Sequence, residues 1–546
     1  MVCTRRNKRN RLQRPPRIFI NGNRIKIEQE LNYLGIWFDD KLNWHTHVRN
    51  ICRQMEQKTN LMKWITVKMW GLDYANTKLI YSAAIEPALL YAVMVWKEAL
   101  ENVHMRRKLT SIQRKFLIKI NKAYNTAPTN ALQIMANTLP IHLKAKYIIW
   151  NWYLTAEGAH RGYDIPGNDE IYHELKNNCK IIDITRPNFR IDRKLKKDEF
   201  SEHPAGNINY TIHWDNDNNK EIRSKWKIYT DGCKNDNGTG AGLIVKNNND
   251  RTTYQHYYNM ATQCTNSQAE MFALLKAIQH IQNNIDIFKG SISILTDSKA
   301  ALHNLNELTH PTALAKRLYD AANTLGTVRK LSFGWIRGHS GVKGNEIADK
   351  LAKLGASSNI SPSFTDTPQV CVKNYIMSII DRIWQHEWET AETGRNCFLF
   401  IPSIQTRKKA KHYVPNSLTT QVLLGHGNFP AYLHRFKLSE NNKCDCSDDE
   451  IGDAAHFAFI CTKHDNHRTK LIHEYLTNNP RWPPTEHKIF ENKTLWRTFE
   501  EFIYNTGALV VNNSEHQRYN TDDTPEDEIN LQEESMDDNS DEEESL

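Results

Sequence analysis

The sequence predicts an α/β core set between two helical regions. Three observations carry that reading. Short β-prone runs at residues 226–230 (WKIYT) and 291–296 (SISILT) alternate with segments of helical pattern. Thr265, followed by Gln268 three residues on, opens an apolar-faced helix with a capping box. On either side of this core, residues 45–153 carry apolar residues at three- and four-residue spacing, and residues 370–512 read as a second helical region, rich in Trp (Trp384, Trp388, Trp482 and Trp496).

In chain order, residues 1–16 form a basic leader (Arg5, Arg6, Lys8, Arg9, Arg11 and Arg14) with no apolar run behind it, so it is not a secretory signal. Residues 17–27 (RIFI, Asn21-Gly22, RIKI) predict a hairpin. Asp39 and Asp40 follow Trp37 at the spacing of a polymerase metal motif, but tryptophan stands where tyrosine or phenylalanine belongs, and both aspartates read as structural. Helices follow to residue 157, with Pro87, Pro128 and Pro140 marking turns or kinks. Residues 158–224, polar and charged, with Pro166-Gly167, Pro187, Pro204-Ala-Gly206 and the tract Asp215 to Lys220, read as a linker with at most short elements. The core spans 225–357, with Gly238–Gly242 read as a glycine-rich turn and Ala356–Pro362 as a separator. A helical, Trp-containing region runs from 358 to 512, and an acidic tail from 513 to 546.

Four acids in the core occupy the ends of strands or lie on helices: Asp231, Glu270, Asp297 and Asp349. Taken singly, an aspartate at a strand end is usually a turn former. Four such groups meeting at one sheet edge repel unless cations lie between them. Mg²⁺ suits them, because it prefers oxygen ligands and is commonly held by few carboxylates plus phosphate. Two such ions at a spacing of about 3.5–4 Å can activate water and stabilise the leaving oxygen of a phosphodiester. The outline is that of a nuclease.

Tyr229-Thr-Asp-Gly232, Thr265-Asn266 with Ala269-Glu270, Thr296-Asp-Ser298 and residues 338–353 (GHSGVKGNEIADKLAK) resemble a type 1 ribonuclease H domain. The likeness is to the kind fused to reverse transcriptases of non-LTR (jockey, R1 or I-like) retrotransposons. It implies a mixed five-stranded sheet flanked by helices and hydrolysis of the RNA strand of RNA/DNA hybrids with two Mg²⁺ or Mn²⁺ ions. Asp231, Glu270, Asp297 and Asp349 would hold the metals, and His339 would serve proton transfer or product departure. Gly232, Asn266 and Ser298 would contact the minor-groove side of the hybrid. Arg337 departs from the proline common in retroelement versions, and Ser267 from the asparagine of cellular ones. The short gap between Asp297 and Asp349 implies that the basic protruding helix is absent. Residues 79–92, 112–120 and 131–143 similarly resemble the thumb and connection of those reverse transcriptases. With the palm expected upstream of these residues, the chain is not expected to synthesise DNA, and any partner polymerase is unknown. The alternative is a catalytically inactive, nucleic-acid-binding retroelement remnant.

Composition agrees with a polyanionic partner. The 26 residues from Thr521 hold 13 acids and no Lys or Arg, so the formal charge of +8 becomes +21 over residues 1–520. No run approaches the about 18 apolar residues of a membrane helix. The ten scattered cysteines fit a reduced, intracellular protein, nuclear or cytoplasmic. Cys444, Cys446, His456 and Cys461 follow C-x-C-x₉-H-x₄-C, the donor number and softness of a structural Zn²⁺ site, with His464 or His467 as substitutes for His456. The other reading is three free cysteines and a surface histidine. This group, preceded by Gly425-His-Gly427 and Tyr432–Phe436, resembles the tail after the nuclease in arthropod-type non-LTR elements, which implies a role in nucleic-acid handling.

Overall fold

The computed structural model describes residues 18–24, 28–62, 72–155, 190–195, 197–200, 208–214, 224–306, 308, 311–338, 340–446 and 449–510. The basic leader, His339 and the acidic tail lie outside the described residues. The chain forms two compact units, residues 146–380 and the remainder.

Residues 146–380 are built on one mixed sheet. In chain order its unit contains β1 (Ile191–Asp192), β2 (Thr211–His213), β3 (Trp226–Asn235), β4 (Gly238–Asn247), β5 (Thr252–Met260), α1 (Asn266–Asn283), β6 (Ile292–Thr296), α2 (Lys299–Asn306), α3 (Ala313–Val328), β7 (Leu331–Trp335), α4 (Lys343–Ser357) and β8 (Thr367–Pro368). The sheet order is β2-β7-β6-β3-β4-β5; β2, β7, β6 and β3 run parallel, β4 pairs antiparallel with β3, and β5 pairs antiparallel with β4. Five of these strands are those expected, and the sixth, β2, is an edge strand supplied by the stretch read as linker.

Alternation along β3 and β4 sorts the two faces. Ile228, Ala241, Leu243 and Val245 pack with α1, α2 and α3 in the larger core. Tyr229 and Ile244 face Ala348 and Leu351 of α4. The glycine run read as a turn is strand β4, and the turn is Asp236-Asn237. The correction has a steric cause: a Cβ on Gly240 would stand 2.2 Å from Ala356 N, and one on Gly242 would stand 2.4 Å from Ala348 O. Helix α4 lies backbone to backbone on the strand, a contact that glycine alone permits. Residues 359–362 of the expected separator are exposed, and directly after it the chain returns to the sheet, where Phe364 enters the core and Ser363 N donates to Asn259 O at 2.8 Å.

In the other unit, Asn21 and Gly22 both adopt positive φ between the paired strands Phe19–Ile20 and Asn23–Arg24, the primed turn that a tight hairpin requires. Residues 25–27 of that hairpin lie outside the described residues. Asp39 is buried, and its Oδ1 accepts the backbone N–H groups of Lys41 and Asn43, a turn-closing role. Pro128 and Pro140 stand directly before helices Thr129–Met135 and Ile141–Thr155, whereas Pro87 lies inside a continuous helical run from Tyr74 to Leu89, just after its π-helical turn Tyr81–Ile85. The helical regions on either side of the α/β core, separate in sequence, share this unit. The buried Arg407 donates twice to Met135 O (2.7 and 3.0 Å), and Thr420 Oγ1 donates to Asn121 O at 2.8 Å. No described helix is long and apolar enough to cross a membrane.

Candidate active site

Strands β3 and β6 pair in parallel, Tyr229 opposite Leu295, and two further residues along each chain lie Asp231 and Asp297. Helix α1 starts where the sequence predicts. Thr265 Oγ1 accepts Gln268 N–H at 3.2 Å, and Gln268 Oε1 accepts Thr265 N–H at 3.0 Å. Glu270 follows in the next turn. A Cβ on Gly232 would stand 2.4 Å from Glu270 N, so strand and helix meet at backbone contact and the glutamate reaches over the strand. One carboxylate oxygen each from Asp231, Glu270 and Asp297 lie within 4.8 Å of one another.

Asp349 on α4 is half-buried and stands at the margin of this trio, outside the 4.8 Å set. Its Oδ2 meets Lys353 Nζ at 2.7 Å, one helical turn on. Its charge nevertheless acts on the group: burial, then Asp297, then Asp349 push the Asp231 carboxyl up to about 7. Burial, then Asp231 and Asp297, push Glu270 up to about 9. Burial and mutual repulsion thus oppose full ionisation of the trio. Glu270 Oε2 is buried with no hydrogen-bond partner among the described residues. A cluster of hard oxygen donors with excess negative charge and an unsatisfied buried oxygen fits a divalent cation such as Mg²⁺.

Three residues that sequence reasoning did not assign support Asp297. Buried Asn345 donates from Nδ2 to Asp297 Oδ2 at 3.2 Å, and Trp335 Nε1 donates to Asp297 O at 2.9 Å. A Cβ on Gly338 would approach Asp297 Oδ2 to 3.0 Å. Asn345 had a legible signal, since it lies four residues before Asp349 on one helix face. Among the expected substrate contacts, Ser298 Oγ accepts Ala301 N–H at 3.2 Å and so caps α2, while Asn266 is exposed at the first position of α1.

In the other unit, Cys444, Cys446, His456 and Cys461 bring one ligand atom each within 4.8 Å of one another. Cys444 Sγ and Cys461 Sγ are 3.7 Å apart, and Cys446 Sγ is 3.1 Å from His456 Nε2. The short C-x-C spacing is accommodated by a reversal in which Cys444 N donates to Glu450 O at 2.8 Å. Buried Arg468 holds the other side, donating to the carbonyls of Ala458, Phe457 and Cys461. Burial, with Cys444 and Cys446 adding to it, pushes the Cys461 thiol up to about 12. Three such sulfurs beside a buried imidazole suit a soft cation. His456 supplies the imidazole, and His464 instead packs its ring on Phe457.

The RNase H family model matches residues 223–357. A putative 115 kDa protein of the type-1 retrotransposable element R1DM of Drosophila melanogaster is 26% identical over 163 residues, covering 30% of this chain and 16% of that protein. A Pol polyprotein of the type-1 retrotransposable element R1 4 of Nasonia vitripennis is 27% identical over 138 residues, covering 25% of this chain and 35% of that protein. The chain thus spans a minor part of both polyproteins. Ribonuclease H of Ruthia magnifica is 32% identical over 137 residues, which cover 92% of that enzyme and 23% of this chain. Among solved structures, RNase H1 of Halobacterium salinarum aligns with 24% of this chain and 96% of its own, at 21% identity and a TM-score of 0.20. Through residues 223–357 the chain belongs to the ribonuclease H family.

Proposed function

We propose that the chain hydrolyses the RNA strand of RNA/DNA hybrids, leaving 3′-hydroxyl and 5′-phosphate ends. The observation that carries this reading is the convergence of Asp231, Glu270 and Asp297 at the end of two parallel strands. Asp231, Glu270 and Asp297 would hold one divalent cation, and Asp349, with Asp231 shared, a second. Bound there, Mg²⁺ or Mn²⁺ would supply Lewis-acid polarisation of water and of the scissile phosphodiester. Asn345 fixes the Asp297 carboxylate by donating to Oδ2, and Gly232 lets α1 bring Glu270 over the strand. His339 would take or return a proton near the products. The retroelement relatives, the family match and the +21 charge of residues 1–520 support a nucleic-acid substrate. The Cys444, Cys446, His456 and Cys461 group is read as a structural Zn²⁺ site that shapes the carboxy-terminal region for nucleic-acid handling.

Asp297→Asn tests the assignment on a labelled hybrid with Mg²⁺ and with chelator. Cleavage is expected to fall by about 10³-fold, the scale of losing one preorganised transition-state partner. Hybrid binding and melting temperature should hold, because the change removes one charge from a repelling trio. Undiminished cutting would exclude the carboxylate scheme. If the wild-type chain retains hybrid in a salt-dependent way but yields no product at any Mg²⁺ concentration, the binding-only reading is correct.

A further inference from the structure

The family match begins at residue 223, yet a carboxylate far upstream of it is buried beside the helix that carries Glu270. Asp192 lies in β1, which pairs in parallel with β8 (Ile191 opposite Thr367), so segments flanking the matched domain on both sides join at this point. The strap is tied down along its length. Ala313 N donates to Arg193 O, Leu195 N to Pro311 O, and Thr367 N to Arg190 O, at 2.8–3.1 Å.

Both oxygens of Asp192 are used. Oδ2 accepts Gln268 Nε2 at 2.9 Å, and Oδ1 accepts Leu314 N–H at 3.0 Å in the first turn of α3. Gln268 is the capping-box residue of α1, and its Oε1 is already committed to Thr265 N–H. With Nε2 held by Asp192 and, at the longer distance of 3.3 Å, by Asp366 O, the amide cannot turn over without losing these bonds, of which the one to Asp192 is the shorter. Asp192 also stands at the amino-terminal ends of α1 and α3 together, where a negative charge is favoured by both helix dipoles.

We propose that Asp192 is a positioning residue for Glu270. It locks the Gln268 amide, and with it the first turn of α1, so that the glutamate two residues further on is presented to Asp231 and Asp297. The functional nuclease unit therefore includes the strap at 190–195 and its partner at 367–368, beyond the span the family model covers. This inference rests on the hydrolase reading of the carboxylate site.

Asp192→Asn in the full chain is the test. Whichever way the new amide is turned, its NH₂ faces a donor, either Gln268 Nε2 or Leu314 N–H. We expect kcat on a labelled RNA/DNA hybrid to fall about tenfold with KM unchanged, the effect of a small displacement at the reacting centre. Hydrogen exchange should quicken at residues 266–270 and not at 275–283. The double variant Asp192→Asn with Gln268→Glu reverses donor and acceptor, keeps the net charge and preserves the cap on Thr265; it is expected to recover kcat and slow exchange again. A merely structural role would lower the melting temperature of Asp192→Asn while leaving kcat per folded molecule intact, and that result overturns the proposal. So does exchange at 266–270 in Asp192→Asn that matches the wild type. If the wild-type chain itself does not cut the hybrid, the hydrolase reading fails separately, and unchanged exchange at 266–270 in Asp192→Asn then refutes the positioning claim on its own.

Discussion

Gly242→Ala should disable the candidate active site without touching any carboxylate. Gly242 lies directly opposite Asp231 in the β3–β4 register, and its α-carbon faces α4 at the residue preceding Asp349. A Cβ there would stand 2.4 Å from Ala348 O, 2.6 Å from Ala352 N and 2.8 Å from Leu351 Cβ, whereas ordinary contact begins at 3.4 Å. Two of those three atoms are backbone, so no side-chain rotation relieves the clash and α4 must retreat by about 1 Å. Overpacking of this kind costs about 1–3 kcal/mol. In a unit of this size that lowers the melting temperature by roughly 3–10 °C. The same retreat carries Asp349 away from Asp231, and a misplacement of about 1 Å at a reacting centre costs on the order of 100-fold in rate. Hybrid cleavage under saturating Mg²⁺, with a melting curve on the same preparation, measures both effects. Gly507→Ala is the control, since its Cβ meets nothing within 4 Å and its φ of +62° adds only a local backbone cost of about 1 kcal/mol. If Gly242→Ala melts and cuts as the wild type does, helix α4 is not seated on the strand as described.

Two further outcomes are expected. His47 is fully buried, its Nδ1 accepts Trp37 N–H, and burial lowers its pKa from 6.5 to about 4. Protonation therefore favours the unfolded chain: the contribution of neutral His47 is intact above pH 6.5 and is lost as pH falls towards 4. The loss amounts to about 3 kcal/mol, and His47→Asn should flatten that part of a denaturant-midpoint profile; an equally steep profile in the variant would refute the assignment. Cys446→Ser should abolish stoichiometric Zn²⁺ in elemental analysis and expose residues 429–476 to limited proteolysis, since about 10 kcal/mol or more of metal binding is coupled to folding at such sites; one retained Zn²⁺ per chain would remove Cys446 from the ligand set.

The parts of the molecule legible in the sequence are those fixed by neighbours along the chain. Helix α1 begins at its Thr265/Gln268 capping box, the Asn21-Gly22 hairpin turns through two positive-φ residues, and Pro128 and Pro140 stand just before helices, because caps and turns are interactions across two to four residues. The acids could be identified by residue type and by the elements they end. What the pattern could not supply was distance: three of them share one pocket of space, and the fourth stands beside it in an ion pair with Lys353.

Tertiary structure alone decided the features made by segments remote in sequence. Glycines spaced like a turn became the first half of a strand because α4, about a hundred residues later, rests on them at backbone contact. A polar stretch with the composition of a linker supplied an edge strand and the buried Asp192, since a parallel sheet edge and two helix ends were available to accept them. Residue type and local spacing carry the chemistry of a site, whereas the packing of distant backbones determines which of those groups can act together.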